Sequence, residues 1–162
     1  MHSFKIETYL KLVFLISLIS IISAYFIEYI LGHQPCNLCL IERIPYGLSM
    51  FLIILNFVFH KNLKFIILLL IIIFAFSIVL SVYHFGIEQN WFNESPICGL
   101  KSTSEIISKE ELLKQLQKKT ISCKDVTFKI FGFSLTSINI IISLFLTILL
   151  TKIFTSYGKF KN

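Results

Sequence analysis

Four long stretches without a charged side chain constrain this sequence more than anything else in it. Leu12 to Ile27 and Ile44 to Phe59 carry no charge, and neither does any residue between Lys64 and Glu88 or between Lys129 and Lys152. A helix needs roughly 20 apolar residues to cross the ~30 Å hydrocarbon core of a bilayer. The third and fourth stretches meet that length directly. The first and second reach it with amphipathic ends, Tyr9 to Lys11 and Tyr29 to Leu31 for one and Cys39 to Arg43 for the other. All are too long for barrel strands, and none alternates strictly. The expected fold is an all-α integral membrane protein, a four-transmembrane-helix bundle forming one domain over residues 1–162. Its spans are expected near 9–31, 40–60, 64–86 and 130–152.

Composition points the same way. A hydrophobic fraction of 56%, only 15% charged residues and a mean hydropathy of +0.81 leave too little polar surface for a soluble globule. The net charge of +6 does not call for nucleic acid as a partner. The lysines sit beside the apolar runs, where they anchor helix ends at a lipid surface. A cleaved signal peptide would use Lys5 and Lys11 before the first run and Ser23-Ala24 near its end. The run continues through Tyr25, Phe26, Tyr29 and Ile30, however, as a spanning helix ending in an aromatic belt does.

Lysines in the short segments set the orientation. Lys5 and Lys11 precede the first span, Lys61 and Lys64 lie between the second and third, and Lys152, Lys159 and Lys161 fill the tail. The positive-inside rule places these segments, and so both termini, in the cytoplasm. A short loop near 32–39 and a long one near 87–129 then face the periplasm. The lysines of the long loop are nearly balanced by Glu88, Glu94, Glu105, Glu110, Glu111 and Asp125. Lys129, beside the fourth span, runs against the rule.

The long loop carries its own local signal. Ser108-Lys109-Glu110-Glu111 is a capping box, followed by strong helix formers through Lys119. Ile106, Leu112, Leu113 and Leu116 give this short amphipathic helix an apolar stripe, to lie on the membrane or pack on the bundle. Lying on the surface, it would let the loop bring Cys98 and Cys123 back towards Cys36 and Cys39. Trp91 and Phe92 read as interfacial aromatics, and Pro96 and Gly99 predict an extended, exposed segment around Cys98.

All four cysteines fall on the predicted outer side, where disulfides persist, and they allow three full pairings. Cys36 and Cys39 form a C-x-x-C motif that runs into the second span behind Pro35. In the first turn of a helix, free N–H groups and the dipole favour a thiolate. A disulfide closing so small a ring also removes little chain entropy, which disfavours a purely structural role. Arg43 follows Cys39 by one helical turn and Cys36 by two, so all three project from one face. An arginine slightly below the membrane surface marks a functional position, unless it snorkels or pairs with Glu28. Glu42, adjacent in sequence, points elsewhere on that helix. His84 falls at the depth of Arg43, as a quinone-pocket or proton-shuttling residue or a hydrogen-bonded interface histidine. His33 is a weaker candidate, and His2 and His60 face the cytoplasm. A zinc site is disfavoured by the wide separation of Cys98 and Cys123. Two classes of function remain open at this point. One is a redox enzyme; the other is a non-catalytic membrane protein with structural disulfides or a Cys-ligated metal.

The sequence resembles the disulfide bond formation protein B (DsbB) family of bacterial inner-membrane thiol:quinone oxidoreductases. The resemblance rests on the four spans, on Pro35-Cys36-x-x-Cys39-x-x-Glu42-Arg43 followed by Ile44-Pro45, and on Tyr83-His84-x-Gly86-x-Glu88. Pro96-x-Cys98-Gly99 and a last cysteine, Cys123, before the fourth span complete it. Vitamin K epoxide reductase-like proteins place their loop cysteines before the C-x-x-C, whereas here they follow it. The resemblance implies redox disulfides Cys36–Cys39 and Cys98–Cys123. It implies that the thiolate of a reduced periplasmic DsbA-like thioredoxin-fold partner attacks Cys98, and that electrons pass to the Cys36–Cys39 pair. From there they would reach ubiquinone or menaquinone, with Cys39 facing the quinone and Arg43 stabilising the developing negative charge. Glu28 departs from the uncharged polar residue expected eight positions before Cys36, and the loop is unusually rich in lysine.

Overall fold

A computed structural model describes residues 2–59, 63–93, 98, 122–124, 129–130 and 132–159. Four helices within it are long and apolar enough to cross a membrane, as the charge-free runs predict. Helix α1 spans His2–Tyr29. It ends where Gly32 takes up φ +71° and the His33 N–H donates to the Ile27 carbonyl at 3.3 Å, a left-handed stop that glycine adopts without a Cβ clash. Helix α2 is a single turn, Asn37–Ile41, and α3 runs Ile44–Phe59. Helix α4 covers Leu63–Glu88 and α5 covers Leu135–Lys159. The short amphipathic helix expected after Ser108 lies outside the described residues.

The second span differs from the continuous helix that the sequence predicts. Pro45 has no N–H to give the Ile41 carbonyl, so the helical ladder cannot run through this point. The chain makes a turn at Glu42 and Arg43 instead, with the Arg43 N–H donating to Leu40 O at 3.2 Å. Helix α3 then begins with the Gly47 N–H on Arg43 O, also 3.2 Å.

The fourth span starts later than expected. A two-stranded antiparallel hairpin, β1 (Lys129–Ile130) and β2 (Phe133–Ser134), precedes it, with Gly132 at φ +88° in the connection. Ser134 caps α5, its Oγ accepting from the Ser137 N–H at 3.3 Å. That start point decides which α5 side chains face the cysteine-bearing end of the bundle.

Helix α4 packs along α5, α1 packs on α3, and α3 on α4. Leu10, Val13, Tyr46, Ile53, Ile67, Leu70, Phe74, Leu146 and Leu150 form the main core. The outside carries large apolar side chains such as Ile22, Phe51, Phe76, Val79, Ile141 and Phe145, all more than half exposed. Conversely, Ser17, Ser49, Ser77, Ser81, His84, Thr136 and Ser143 are buried. An apolar exterior around a polar seam is stable in lipid, where internal partners must satisfy every polar group. At the opposite end from the cysteines, Lys11 and Lys64 lie over the rings of Phe57 and Phe154.

Asn139 is the centre of the seam. Its amide donates to Ser81 Oγ at 2.8 Å and to Glu42 Oε2 at 3.1 Å, and its carbonyl accepts from the Tyr46 hydroxyl. Tyr46 also meets Ser143 Oγ at 3.2 Å, and Ser143 meets Ser77 Oγ at 3.1 Å. Replacing Asn139 by Ala strands two of these buried groups away from water. The expected loss of stability is about 1–2 kcal/mol, read from unfolding of the detergent-solubilised protein. An Asn139→Ala variant as stable as the native chain would show that the seam relaxes around the gap.

Candidate functional site

The C-x-x-C motif sits where the sequence places it, at a helix start. Cys36 is the N-cap of α2, with φ −72° and ψ 166°, and its sulfur accepts the Cys39 N–H at 3.1 Å. Cys36 and Cys39 form a disulfide with a Cα–Cα distance of 5.1 Å. Cys98 and Cys123 form the second, with a Cα–Cα distance of 5.4 Å. The two pairs share one buried cluster, in which Cys36, Leu38, Ile87, Cys98 and Cys123 pack together with Cys39 at its edge. The expected convergence of the loop cysteines on the C-x-x-C is therefore seen.

The exposure expected around Cys98 is not. Cys98 is 1% exposed and Cys123 3%. Packing against Ile87 and Leu38 removes both sulfurs from solvent, an apolar gain that the short-range turn signals around Cys98 do not encode.

The two sulfurs of the C-x-x-C face different surroundings. Cys39 lines a cavity of about 300 Å³ bounded by α1, α5 and the turn after α2. Ile19, Ala24, Ile27, Ile138 and Ile142 give it apolar walls, while Arg43, Glu42, His33 and Asn139 supply polar groups. A mostly apolar pocket of this size with a few convergent polar groups suits a small ring system. Arg43 lines it too, whereas Cys36, expected on the same face as Cys39 and Arg43, does not, because the helix is interrupted before Arg43. Its guanidinium also donates to Glu28 Oε2 at 2.5 Å and stacks 5.0 Å from the Tyr25 ring centre. The pair is only partly buried, with side-chain exposures of 17% and 20%. Arg43 thus pairs with Glu28 and also lines the cavity beside Cys39.

Cys36 looks the other way, towards His84. The Nε2 atom of His84 lies 3.5 Å from Cys36 Sγ, and Nδ1 lies 2.9 Å from Glu42 Oε1. Thr136 Oγ1 is 3.4 Å from the same Nδ1 and donates to Glu88 Oε1 at 2.5 Å. The second Glu88 oxygen, Oε2, is buried without a partner. His84 is thus a fully buried, hydrogen-bonded residue at the disulfide, and it does not line the cavity.

Glu42 is the residue that sequence reasoning misplaced. It does not point away from Arg43; it is 7% exposed, holds His84 and lines the same cavity as Cys39. The expectation assumed an unbroken helix through Cys39–Arg43. Pro45 breaks that helix, so the turn aims Glu42 and Arg43 at one space. Pro45 was the signal that could have shown it. Thr136 and Asn139 had no signal, because their facing depends on where the hairpin lets α5 begin.

Cys36, Cys39 and His84 bring donor atoms within 4.8 Å of one another. In the state described the two sulfurs are bonded to each other.

The geometry unites two cysteine pairs at one end of a membrane-spanning bundle. The chain matches the family Disulfide bond formation protein DsbB over residues 7–153. It belongs to the DsbB family. It is also 31% identical over 137 residues to an uncharacterized protein of Rickettsia prowazekii (strain Madrid E), covering 83% of this chain and 80% of that one. No solved structure matches the chain. As a DsbB-family member it is a bacterial membrane oxidoreductase of disulfide bond formation.

Proposed function

We propose that this DsbB-family protein is a protein-dithiol:quinone oxidoreductase of the inner membrane. It reoxidises a periplasmic DsbA-like thioredoxin-fold partner and passes the electrons to ubiquinone or menaquinone. One observation carries this reading. Cys39 and Arg43 line one apolar cavity, while the second disulfide packs against the first on its other side.

Each half supports one step. Contact between the two pairs allows thiol–disulfide exchange, in which a thiolate of the loop pair attacks the Cys36–Cys39 bond. The cavity would hold the quinone ring against Cys39, where the Arg43 cation favours negative charge developing on a ring oxygen. The DsbA–DsbB–quinone system is itself a worked example of a periplasm kept oxidising kinetically, and a quinone is an acceptor oxidising enough for a DsbA-type dithiol. With the cysteines in the periplasm, both termini lie in the cytoplasm. Because Cys98 is buried, the partner's attack requires it to become accessible first.

The test uses detergent-purified protein with a short-chain benzoquinone and a reduced DsbA-like dithiol protein, followed by quinone absorbance. Quinone consumed in step with the partner's thiols supports the oxidase. No turnover with benzo- or naphthoquinones, both disulfides intact, would return the cysteines to a structural role.

A further inference from the structure

We propose that Cys36, His84 and Glu42 form a proton relay that links the dithiol to the cavity. This inference rests on the quinone reading and assigns chemistry to two residues that the reading does not itself require. Three contacts carry it: Nε2 at 3.5 Å from Cys36 Sγ, Nδ1 at 2.9 Å from Glu42 Oε1, and Glu42 on the cavity wall.

The chemistry demands such a path. Oxidising a dithiol by a quinone forms one S–S bond and delivers two electrons and two protons to the acceptor. Cys39 faces the cavity, and its thiol proton has a direct route there. Cys36 does not line the cavity and is 5% exposed, so its proton cannot leave to bulk water. The nearest base is His84 Nε2. In the dithiol state a Glu42 carboxylate can only accept, so it fixes the imidazole proton on Nδ1 and turns the Nε2 lone pair towards sulfur. A thiol, a histidine and an orienting acid form a nucleophile-activating arrangement.

In the oxidative half-cycle the Cys36 S–H proton moves to Nε2 while the Nδ1 proton moves to Glu42. From Glu42, on the cavity wall, it would pass to an oxygen of a bound quinone. The Cys36 sulfur bonds Cys39, the two electrons reduce the quinone to quinol, and the Cys39 thiol supplies the second proton. Glu42 then takes a replacement proton from solvent through the cavity. When exchange with the loop pair next releases Cys36 as a thiolate, the relay runs backwards: Nε2–H protonates sulfur and Glu42 restores Nδ1–H.

The groups facing His84 fit this role. Cys36 comes from the loop and Glu42 from the turn after α2. Glu88, on α4 itself, lies 4.0 Å from Nε2, and Thr136 approaches from α5. Arg43, the nearby cation, is held by Glu28.

The experiment uses full-length protein in detergent, with His84→Gln and Glu42→Gln beside the native chain. Pre-reduced protein is mixed with a short-chain benzoquinone for a single turnover across pH. Each variant is expected to slow quinone reduction by about 10²- to 10⁴-fold near neutral pH. The deficit should shrink as pH rises and the thiol ionises without a base, and the native solvent isotope effect should be lost. A second readout avoids the quinone. In a Cys39→Ser background, alkylation of the Cys36 thiol by a small haloacetamide is followed against pH. Adding His84→Gln should move that profile towards alkaline pH. His84→Gln within twofold of native in both readouts would overturn the relay. A native protein that reduces no quinone, yet shows the His84-dependent alkylation shift, would overturn the quinone reading and leave His84 as the base of Cys36.

Discussion

Cys39→Ser is expected to abolish quinone reduction, and its comparison with Cys36→Ser should reveal the two faces of the disulfide. Neither variant can close the Cys36–Cys39 bond, so neither turns over. They differ in what the surviving sulfur meets. In Cys36→Ser the remaining Cys39 thiol lines the cavity, open to a small apolar electrophile such as a maleimide. In Cys39→Ser the remaining Cys36 is 5% exposed and sits against His84. Its labelling needs local opening; if that costs about 3 kcal/mol, the rate falls roughly 100-fold. The measurement is the labelling rate of each variant with the Cys98–Cys123 disulfide intact. Equal rates would mean that the cavity does not select Cys39, and the assignment of the acceptor-facing sulfur would be lost.

The second large effect concerns Arg43, where a structural and a functional role must be separated. Arg43→Met removes the cation from the cavity and leaves Glu28 without its partner. Stranding a fully buried charge costs about 3–5 kcal/mol, and the partial exposure of this pair lowers the expectation to about 2 kcal/mol. Quinone reduction should fall by about 10²-fold, the scale of losing one preorganised group at a developing oxyanion. Adding Glu28→Gln to Arg43→Met removes the stranded charge. Stability should return while the rate stays low. Glu28→Gln alone frees Arg43 from its counter-charge and should raise the rate several-fold. Melting in detergent and single-turnover kinetics on the same samples give both quantities. If the double variant recovers its rate with its stability, Arg43 is a partner for Glu28 and nothing more.

Glu28 links this prediction to the sequence. Its position before Cys36 stands out as a departure from the family pattern, and pairing with Arg43 is one role the sequence leaves open for it. Only the fold shows that α1 returns it to within 2.5 Å of the arginine beside the C-x-x-C. Hydrophobic length is a local property, so the four spans follow from the placement of Lys64, Glu88, Lys129 and Lys152 along the chain. The C-x-x-C at a helix start is local too, because Pro35 and Cys36 set the backbone there.

What the sequence determined by itself was whatever a single helix or turn decides: four membrane helices, a C-x-x-C pair at a helix start, and Arg43 four residues after it. The tertiary structure decided the rest. Burial of Cys98 and Cys123 depends on a surface supplied by Ile87 and Leu38. The turn at Glu42 is signalled by Pro45, but its meeting with His84 and Asn139 depends on α4 and α5 packing there. The contacts of His84, Thr136 and Asn139 depend on the phase at which α5 starts and on its packing along α4. Each is a contact between elements far apart in the chain. Local backbone preference fixes the directions of side chains within an element, and only packing fixes which of them meet.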